Sequence, residues 1–435
     1  MRRLSCGELP GLANRATTTR ITTSRVLAAH ILAAVFIQAV WFSLSSMMAV
    51  VARKRFNADD WQSVFITATV PTVMVLSIFW GEVLRRVGIR RYLLIHWATT
   101  MIPIAVASLS LNFWFLFGCH VLAAVGTAGW SPLSGDLLRK FYGESYRGRA
   151  FGLINAAIFS GMMVATFAFG RALDANQNAF RVFFPAAALL YAVGVLLLRR
   201  LVRATGDDRP DGSPPPEPLS LRSLIDPILH MRAVLREDRV FLQYEAAFMT
   251  YGVGWMICNA LLPVLATDRL HMTYTEFAAS TQVVYPLCML LFTFPVGWLS
   301  DKIGPAKISC YSFALLLFYP IGLLGAETVS QVALATVVYG IAMAGVQIGW
   351  MLGPVSLAPT HDKVPQYVAI HTTLVGIRGI VAQFVGMFLY RLTGSFAVPF
   401  LVAVGAFLWA AVQMSGLRMA ARERVATPPV VDVPD

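Results

Sequence analysis

The chain has 435 residues, of which 57% are hydrophobic and only 13% charged, with a formal net charge of +12. Soluble proteins carry about 25% charged residues, so much of the usual solvating charge is missing, and the mean hydropathy is +0.65. A soluble multidomain protein, a disordered chain, a collagen-like repeat and a disulfide scaffold are excluded, which leaves an all-α polytopic membrane protein.

The first 25 residues, MRRLSCGELPGLANRATTTRITTSR, are rich in Arg, Ser and Thr and contain no apolar core of a signal peptide. They read as a cytoplasmic N-terminal tail. Apolar runs able to cross about 30 Å of hydrocarbon occur at 26–52, 61–82, 92–111, 113–135, 150–170 and 182–198. The stretch 199–238 contains GDDRPDGSPPPEP, whose Pro-rich, charged composition predicts a solvated linker. Its later part, LRSLIDPILHMRAVLRED, suits a surface helix. A second set of runs occupies 239–266, 276–299, 308–326, 329–353, 368–390 and 395–415, and 416–435 forms a C-terminal tail. The shortest connections, and so the least defined boundaries, separate the third span from the fourth and the ninth from the tenth. The predicted organisation is therefore a six-helix bundle at 26–198 and a second at 239–415.

With both ends placed inside, 27 of the 35 Lys and Arg fall on inner segments, 7 on outer loops and one, Arg378, within a span. By the positive-inside rule both termini are cytoplasmic. The basic surplus is thus a record of topology, and no nucleic-acid partner is expected. Cys6, Cys119, Cys258, Cys288 and Cys310 show no metal-ligand spacing, and all but Cys6 lie in apolar runs, so they read as packing residues. No metal or cofactor is expected.

The halves echo each other. GEVLRRVGIRR at 81–91 follows the second span, and GWLSDKIGPAK at 297–307 follows the eighth. Gly129-Trp130 recurs as Gly349-Trp350, and Trp41 of the first span is matched by Trp255 of the seventh. Six spans per copy is an even number, so both copies share one orientation and form a parallel repeat.

These loop motifs resemble those of the major facilitator superfamily (MFS) of secondary transporters, over nearly the whole chain. The family signature runs roughly G-x-L-a-D-R-x-G-R-R. Gly297, Leu299, Asp301, Lys302 and Gly304 fit it in the second copy. In the first copy Gly81, Arg86, Gly88, Arg90 and Arg91 fit, but Arg85 stands where the acid belongs, with Glu82 three residues away as a partial substitute. The resemblance implies that these residues latch an inner gate. In the next inner loop, Asp136, Arg139, Glu144 and Arg147 are placed to exchange salt bridges with it. Two subfamily signatures are incomplete. Gly152 and Gly161 keep the spacing of drug/proton antiporters, but Ala165-Thr166 replaces Gly-Pro. LRRLVRATGDD stands where sugar porters carry Pro-Glu-Ser-Pro-Arg.

Ions inside spans are costly and point to function. Arg378 lies near the middle of the eleventh span, with His371 seven residues earlier on nearly the same face, an arrangement able to attract an anionic group or to pair with a carboxylate. Glu245 is the carboxylate inside the seventh span, with Gly252 and Asn259 on its face, and is the leading proton carrier. His30, His96 and His120 are alternative carriers, or else hydrogen-bonded residues of the bundle. Stripes occur at Gln38, Trp41 and Ser45, at Tyr251 and Trp255, and at Tyr339, Met343, Gln347 and Trp350. The resemblance implies that these faces of the first, seventh and tenth spans line a central cavity.

The expectation is a monomeric secondary transporter of a bacterial inner membrane, taking a small-molecule solute such as an organic anion with proton coupling, as a symporter or antiporter, or else as an uncoupled uniporter. A non-transporting assembly factor or sensor of the same fold is the alternative, supported by Arg85. No H-E-x-x-H, G-x-S-x-G or nucleotide-binding motif suggests an enzyme or a nucleotide-driven pump.

Overall fold

A computed structural model describes residues 24–205, 231–360 and 363–417. These residues form helices and short connections, with no strand among them. In chain order the rods are α1 (Ser24–Phe56), α2 (Asp60–Leu76 continued by Phe79–Val87), α3 (Ile89–Ala107), α4 (Phe113–Phe141), α5 (Glu144–Ala175) and α6 (Phe180–Ala204). The second half holds α7 (Arg239–Arg269), α8 (Tyr274–Ile303), α9 (Pro305–Gly325), α10 (Val329–Leu357), α11 (Val364–Thr393) and α12 (Ala397–Ser415). Ten of these helices are long and apolar enough to cross a membrane, and the bent α2 makes an eleventh. The twelfth rod, α3, falls short of that apolarity because its 19 residues include Arg90, Arg91 and His96. Large apolar side chains such as Leu111, Val182 and Phe294 are more than 70% exposed, as lipid-facing residues must be.

Several rods outrun the apolar segments read from sequence. α5 has 32 residues, about 48 Å at 1.5 Å per residue, whereas hydropathy marks only the part within hydrocarbon. Likewise α3 begins at Ile89 and ends at Ala107, earlier than the expected 92–111. Of the expected surface helix in the linker, residues 231–237 are helical and the rest lies outside the described residues, as do most of both tails and Cys6.

Ser24 and Ser415 lie at the same end of the bundle, here termed the terminal face; the α1–α2, α5–α6, α7–α8 and α11–α12 connections mark the far face. Four of the helices starting at the far face, α2, α4, α8 and α10, are capped by polar side chains. Asp59 and Gln62 form a capping box at α2, Thr273 and Glu276 at α8, and Thr328 and Gln331 at α10, while Asn112 caps α4. At the terminal face a single residue joins α2 to α3 and α8 to α9. These are Gly88 (φ 75°, ψ 158°) and Gly304 (φ 87°, ψ 157°), a conformation closed to residues with a Cβ.

The repeat is visible in the packing too. A Cβ on Gly129 of α4 would lie 2.2 Å from the Tyr92 hydroxyl of α3, and one on Gly349 of α10 would lie 1.9 Å from Ser309 Oγ of α9. Small residues let these helix backbones approach closely in both halves. The halves meet along α2–α11 and α5–α8. At the first seam α2 bends by 55° beyond Pro71, and Gly379 packs there, its hypothetical Cβ only 2.7 Å from Pro71 Cβ. At the second, Gly170 of α5 fits against the Tyr274 backbone of α8.

Candidate functional site

Within the C-terminal half, α7 and α11 bring together the ions singled out in the sequence. The Glu245 carboxylate meets His371 Nδ1 at 2.8 and 2.9 Å, and both side chains are only 2% exposed. Trp350 and Phe248 pack edge-on against the imidazole, with ring centroids 5.5 and 5.2 Å away. Two turns along α11, Arg378 lies buried against α7. Its Nη1 donates to the Phe248 carbonyl, and its guanidinium sits 4.9 Å from the centre of the Tyr251 ring. Tyr251 in turn stacks on Phe313 at 4.6 Å. Gly252 makes this possible, since a Cβ there would fall 2.0 Å from Arg378 Cζ. Arg378 is thus engaged at Nη1 by a helix carbonyl and across its guanidinium by an aromatic face, while Glu245 takes His371 as its partner. His371 Nε2 and Arg378 Nε are buried without a hydrogen bond among the described residues. A buried carboxylate–imidazole pair of this kind can store and release a proton.

Between the halves, toward the far face, lies a cavity of about 310 Å³. Phe42, Ser45 and Ser46 of α1, Thr67 and Pro71 of α2, Met162 of α5, Trp255 and Asn259 of α7, and Phe277 and Gln282 of α8 are among its walls. Trp255 Nε1 donates to the Tyr339 hydroxyl at 2.8 Å, joining two residues expected in the cavity. Tyr339 is packed between Tyr285 and Tyr319. Gln347 is exposed. Gln383 Nε2 donates to the Thr67 carbonyl at 3.1 Å, so α11 and α2 are also hydrogen-bonded beside the cavity.

Other expected site residues lie elsewhere. Gln38 and Trp41 are 3% and 2% exposed and absent from the cavity wall; Trp41 stacks on His120 at 6.5 Å within the N-terminal half. His30 Nδ1 lies 3.0 Å from the Tyr142 hydroxyl. Both His96 nitrogens are engaged, by the Gly126 carbonyl at 3.0 Å and the Tyr191 hydroxyl at 2.7 Å. Among the loop residues, Glu82 pairs with both Arg85 and Arg86, so the arginine in the acid's place is tied to the substitute acid. Asp136 pairs with Arg139, and Arg147 Nε donates to the Tyr142 carbonyl at 2.9 Å. The Glu144 side chain lies outside the described residues. Gly81 abuts Pro132 of α4 and Gly297 abuts Ile348 of α10. Asp301 and Lys302 are exposed, with Lys302 Nζ 3.6 Å from the centre of the Trp298 ring.

Sequence reasoning missed the far-face charges, having counted them only as topology. Arg53 of α1 bonds Asp60 of α2 at 3.2 Å, Thr267 Oγ1 of α7 at 2.8 Å, and Asp268 of α7. Arg391 of α11 bonds Asp60 at 3.0 Å. Lys54 Nζ donates to the Met272 carbonyl at 2.7 Å. Asp174 of α5 accepts from the backbone N–H groups of Tyr274 and Thr275 at the start of α8, each at 2.8 Å. Each of these contacts except Arg53–Asp60 joins the two halves.

The family model described as Major Facilitator Superfamily matches residues 26–361 and 246–431. No curated protein matches the chain significantly. Among solved structures it is similar to a POT family transporter in complex with 5-aminolevulinic acid, at 17% identity and a TM-score of 0.72 over 90% of this chain and 95% of that one. It is also similar to a variant of the nucleoside transporter NupG, at 12% identity and a TM-score of 0.71 over 90% and 99%. The human organic anion transporter MFSD10 (TETRAN) aligns at 15% identity and a TM-score of 0.66 over 90% and 99%.

Proposed function

Since the chain belongs to the Major Facilitator Superfamily, we propose that it is a secondary active transporter that carries a small solute by alternating access, coupled to protons at the Glu245–His371 pair. The observation that carries this reading is the cross-half cavity. It lies between two six-helix halves whose far-face contacts are ion pairs and hydrogen bonds that can break and reform. Rocking about the glycine-lined α2–α11 and α5–α8 seams would exchange the closed face. The far-face bonds make this conformation the one closed at that face. The basic residues concentrate on the other side, so the terminal face is cytoplasmic and the conformation faces inward.

Coupling rests on chemistry. Glu245 and His371 are the titratable pair on α7 and α11, the helices that also hold Arg378, and the proton they share can sit on either side chain with the pair as a whole uncharged. One chain carries both halves of the cavity, so the monomer suffices as the working unit. Arg85 gives little support to a non-transporting role, because Glu82 holds it within the motif loop. The reading is tested with Ser46→Cys protein in liposomes, labelled by a membrane-impermeant thiol reagent from each side. Reaction from both sides in exchange is expected. Reaction from one side only, under every pH and gradient, would remove the transporter reading.

A further inference from the structure

We infer that the transported solute is a small, net-uncharged, planar molecule with a hydrogen-bonding edge, held between aromatic side chains of both halves; this rests on the transporter reading above. The cavity of about 310 Å³ sits at the small end of the range for small-molecule sites. None of the residues lining it carries a charge. Phe42 lines it from the N-terminal half, and Trp255 and Phe277 from the C-terminal half, the last only 2% exposed, so aromatic surface borders the cavity from both halves. The polar lining is made of neutral groups. Asn259 makes no side-chain hydrogen bond to the described protein, and the Gln282 amide is engaged only with the adjacent Thr281 hydroxyl, at 3.2 Å. Both amides come from the C-terminal half, and Ser46 supplies a hydroxyl from the opposite side. A primary amide donates and accepts at once, so the pair suits a carbonyl, amide or hydroxyl edge.

The charges near the cavity are committed elsewhere. Arg53 is shared between Asp60 and Asp268, Asp174 caps α8, and Glu245 holds His371. Arg378 is bound to the Phe248 carbonyl in the Gly252 notch, about 10 Å along α7 from Asn259. A carboxylate or ammonium entering the cavity would lose its hydration without meeting a counter-ion. A neutral amide would exchange water for Asn259 and Gln282 and bury its ring. The solute class is thus a neutral aromatic or conjugated compound rather than the anion suggested by Arg378 in isolation.

The test uses two sets of compounds matched in shape: benzamide, benzoate and benzylamine, and indole-3-acetamide, indole-3-acetate and tryptamine. Binding to the full chain in detergent is followed by thermal stabilisation, and counterflow is measured in proteoliposomes at neutral pH. The expected result is that the amide of at least one set binds about tenfold more tightly than both its ionised partners. Asn259→Ala should reduce that preference about tenfold. Equal or tighter binding of an ionised partner, no amide binding at millimolar concentration, or an unchanged preference in Asn259→Ala would each overturn the inference. Amide binding without counterflow would leave it standing and count against transport. Alternating Ser46→Cys labelling with no amide binding would do the reverse.

Discussion

Glu245 and His371, 126 positions apart in the chain, meet at 2.8 Å between α7 and α11, both almost wholly excluded from solvent. Glu245→Gln keeps the size of the side chain and an oxygen able to accept from His371, but removes the exchangeable charge. In the liposome labelling assay, wild-type exchange between the two faces is expected to change about fivefold or more between acidic and neutral pH. Exchange in Glu245→Gln should be flat over the same range. Glu245→Ala should also lower stability by ~1–3 kcal/mol, because His371 then loses its buried partner. A Glu245→Gln protein with wild-type pH dependence would place the proton elsewhere.

Gly252 and Arg378 form a lock whose two parts should fail together. Gly252→Ala places a methyl group on the guanidinium, and either α7 moves or Arg378 leaves the Phe248 carbonyl. A loss of ~1–3 kcal/mol is expected, as for overpacking elsewhere. Arg378→Ala alone leaves a cavity and an unpaired carbonyl, whereas the double substitution gives the new methyl group room. Denaturation of the four proteins, followed by tryptophan fluorescence, should show an interaction energy of at least about 0.5 kcal/mol. Strict additivity would mean that the two residues do not share the notch.

The far-face network predicts a shift in conformation rather than in fold. Asp268 is about half exposed while Arg53 is buried, so their pair contributes at the level of a surface bridge, ~1 kcal/mol or less. Asp268→Asn should raise far-side labelling of Ser46→Cys up to about fivefold and lower terminal-side labelling in proportion. Arg53→Gln, which loses contacts to Asp60 and Thr267 as well, should act in the same direction and more strongly. Unchanged labelling in both variants would show that the network does not hold this face closed.

The two one-residue turns allow a prediction made twice. Gly88→Ala and Gly304→Ala force a Cβ into a positive-φ conformation at equivalent points of the repeat. Each should cost ~1–3 kcal/mol, and the two losses should agree closely. Thermal unfolding of the single variants checks this. A large difference would mean that the halves have diverged in how they hold the turn.

Fold class, duplication and the buried ions were legible because each leaves a one-dimensional trace. Charge scarcity marks the spans, Gly88 and Gly304 mark the turns, and Glu245, His371 and Arg378 stand out against apolar neighbours. The facing of α1 was not legible. The stripe of Gln38, Trp41 and Ser45 assumes an unbroken 3.6-residue period, but Val35–Ala39 is a π-helical segment. One extra residue in a turn rotates the remainder of the helix by about 100°. Gln38 is thereby rotated away from Trp41 and Ser45; of these two, Ser45 lines the cavity with Phe42 and Ser46, while Trp41, one turn earlier, stacks on His120. Gln282, in the π segment Ala278–Val283 of α8, was not singled out, since no stripe was read on the eighth span. The partner of Arg378 was also hidden, because a backbone carbonyl has no letter in the sequence.

That hidden carbonyl has a counterpart at the far face, where Asp174 grips α8 by the peptide N–H groups of Tyr274 and Thr275. The two halves are joined there by donors that belong to the peptide backbone of those two positions. A carboxylate at a helix start is also favoured by the helix dipole, whatever residues the helix carries. The two donors of this closure thus belong to the backbone, although the buried Tyr274 ring, with Lys54 over it, still fixes that side chain. Proline at position 275 would delete one of the two donors while remaining compatible with the start of a helix.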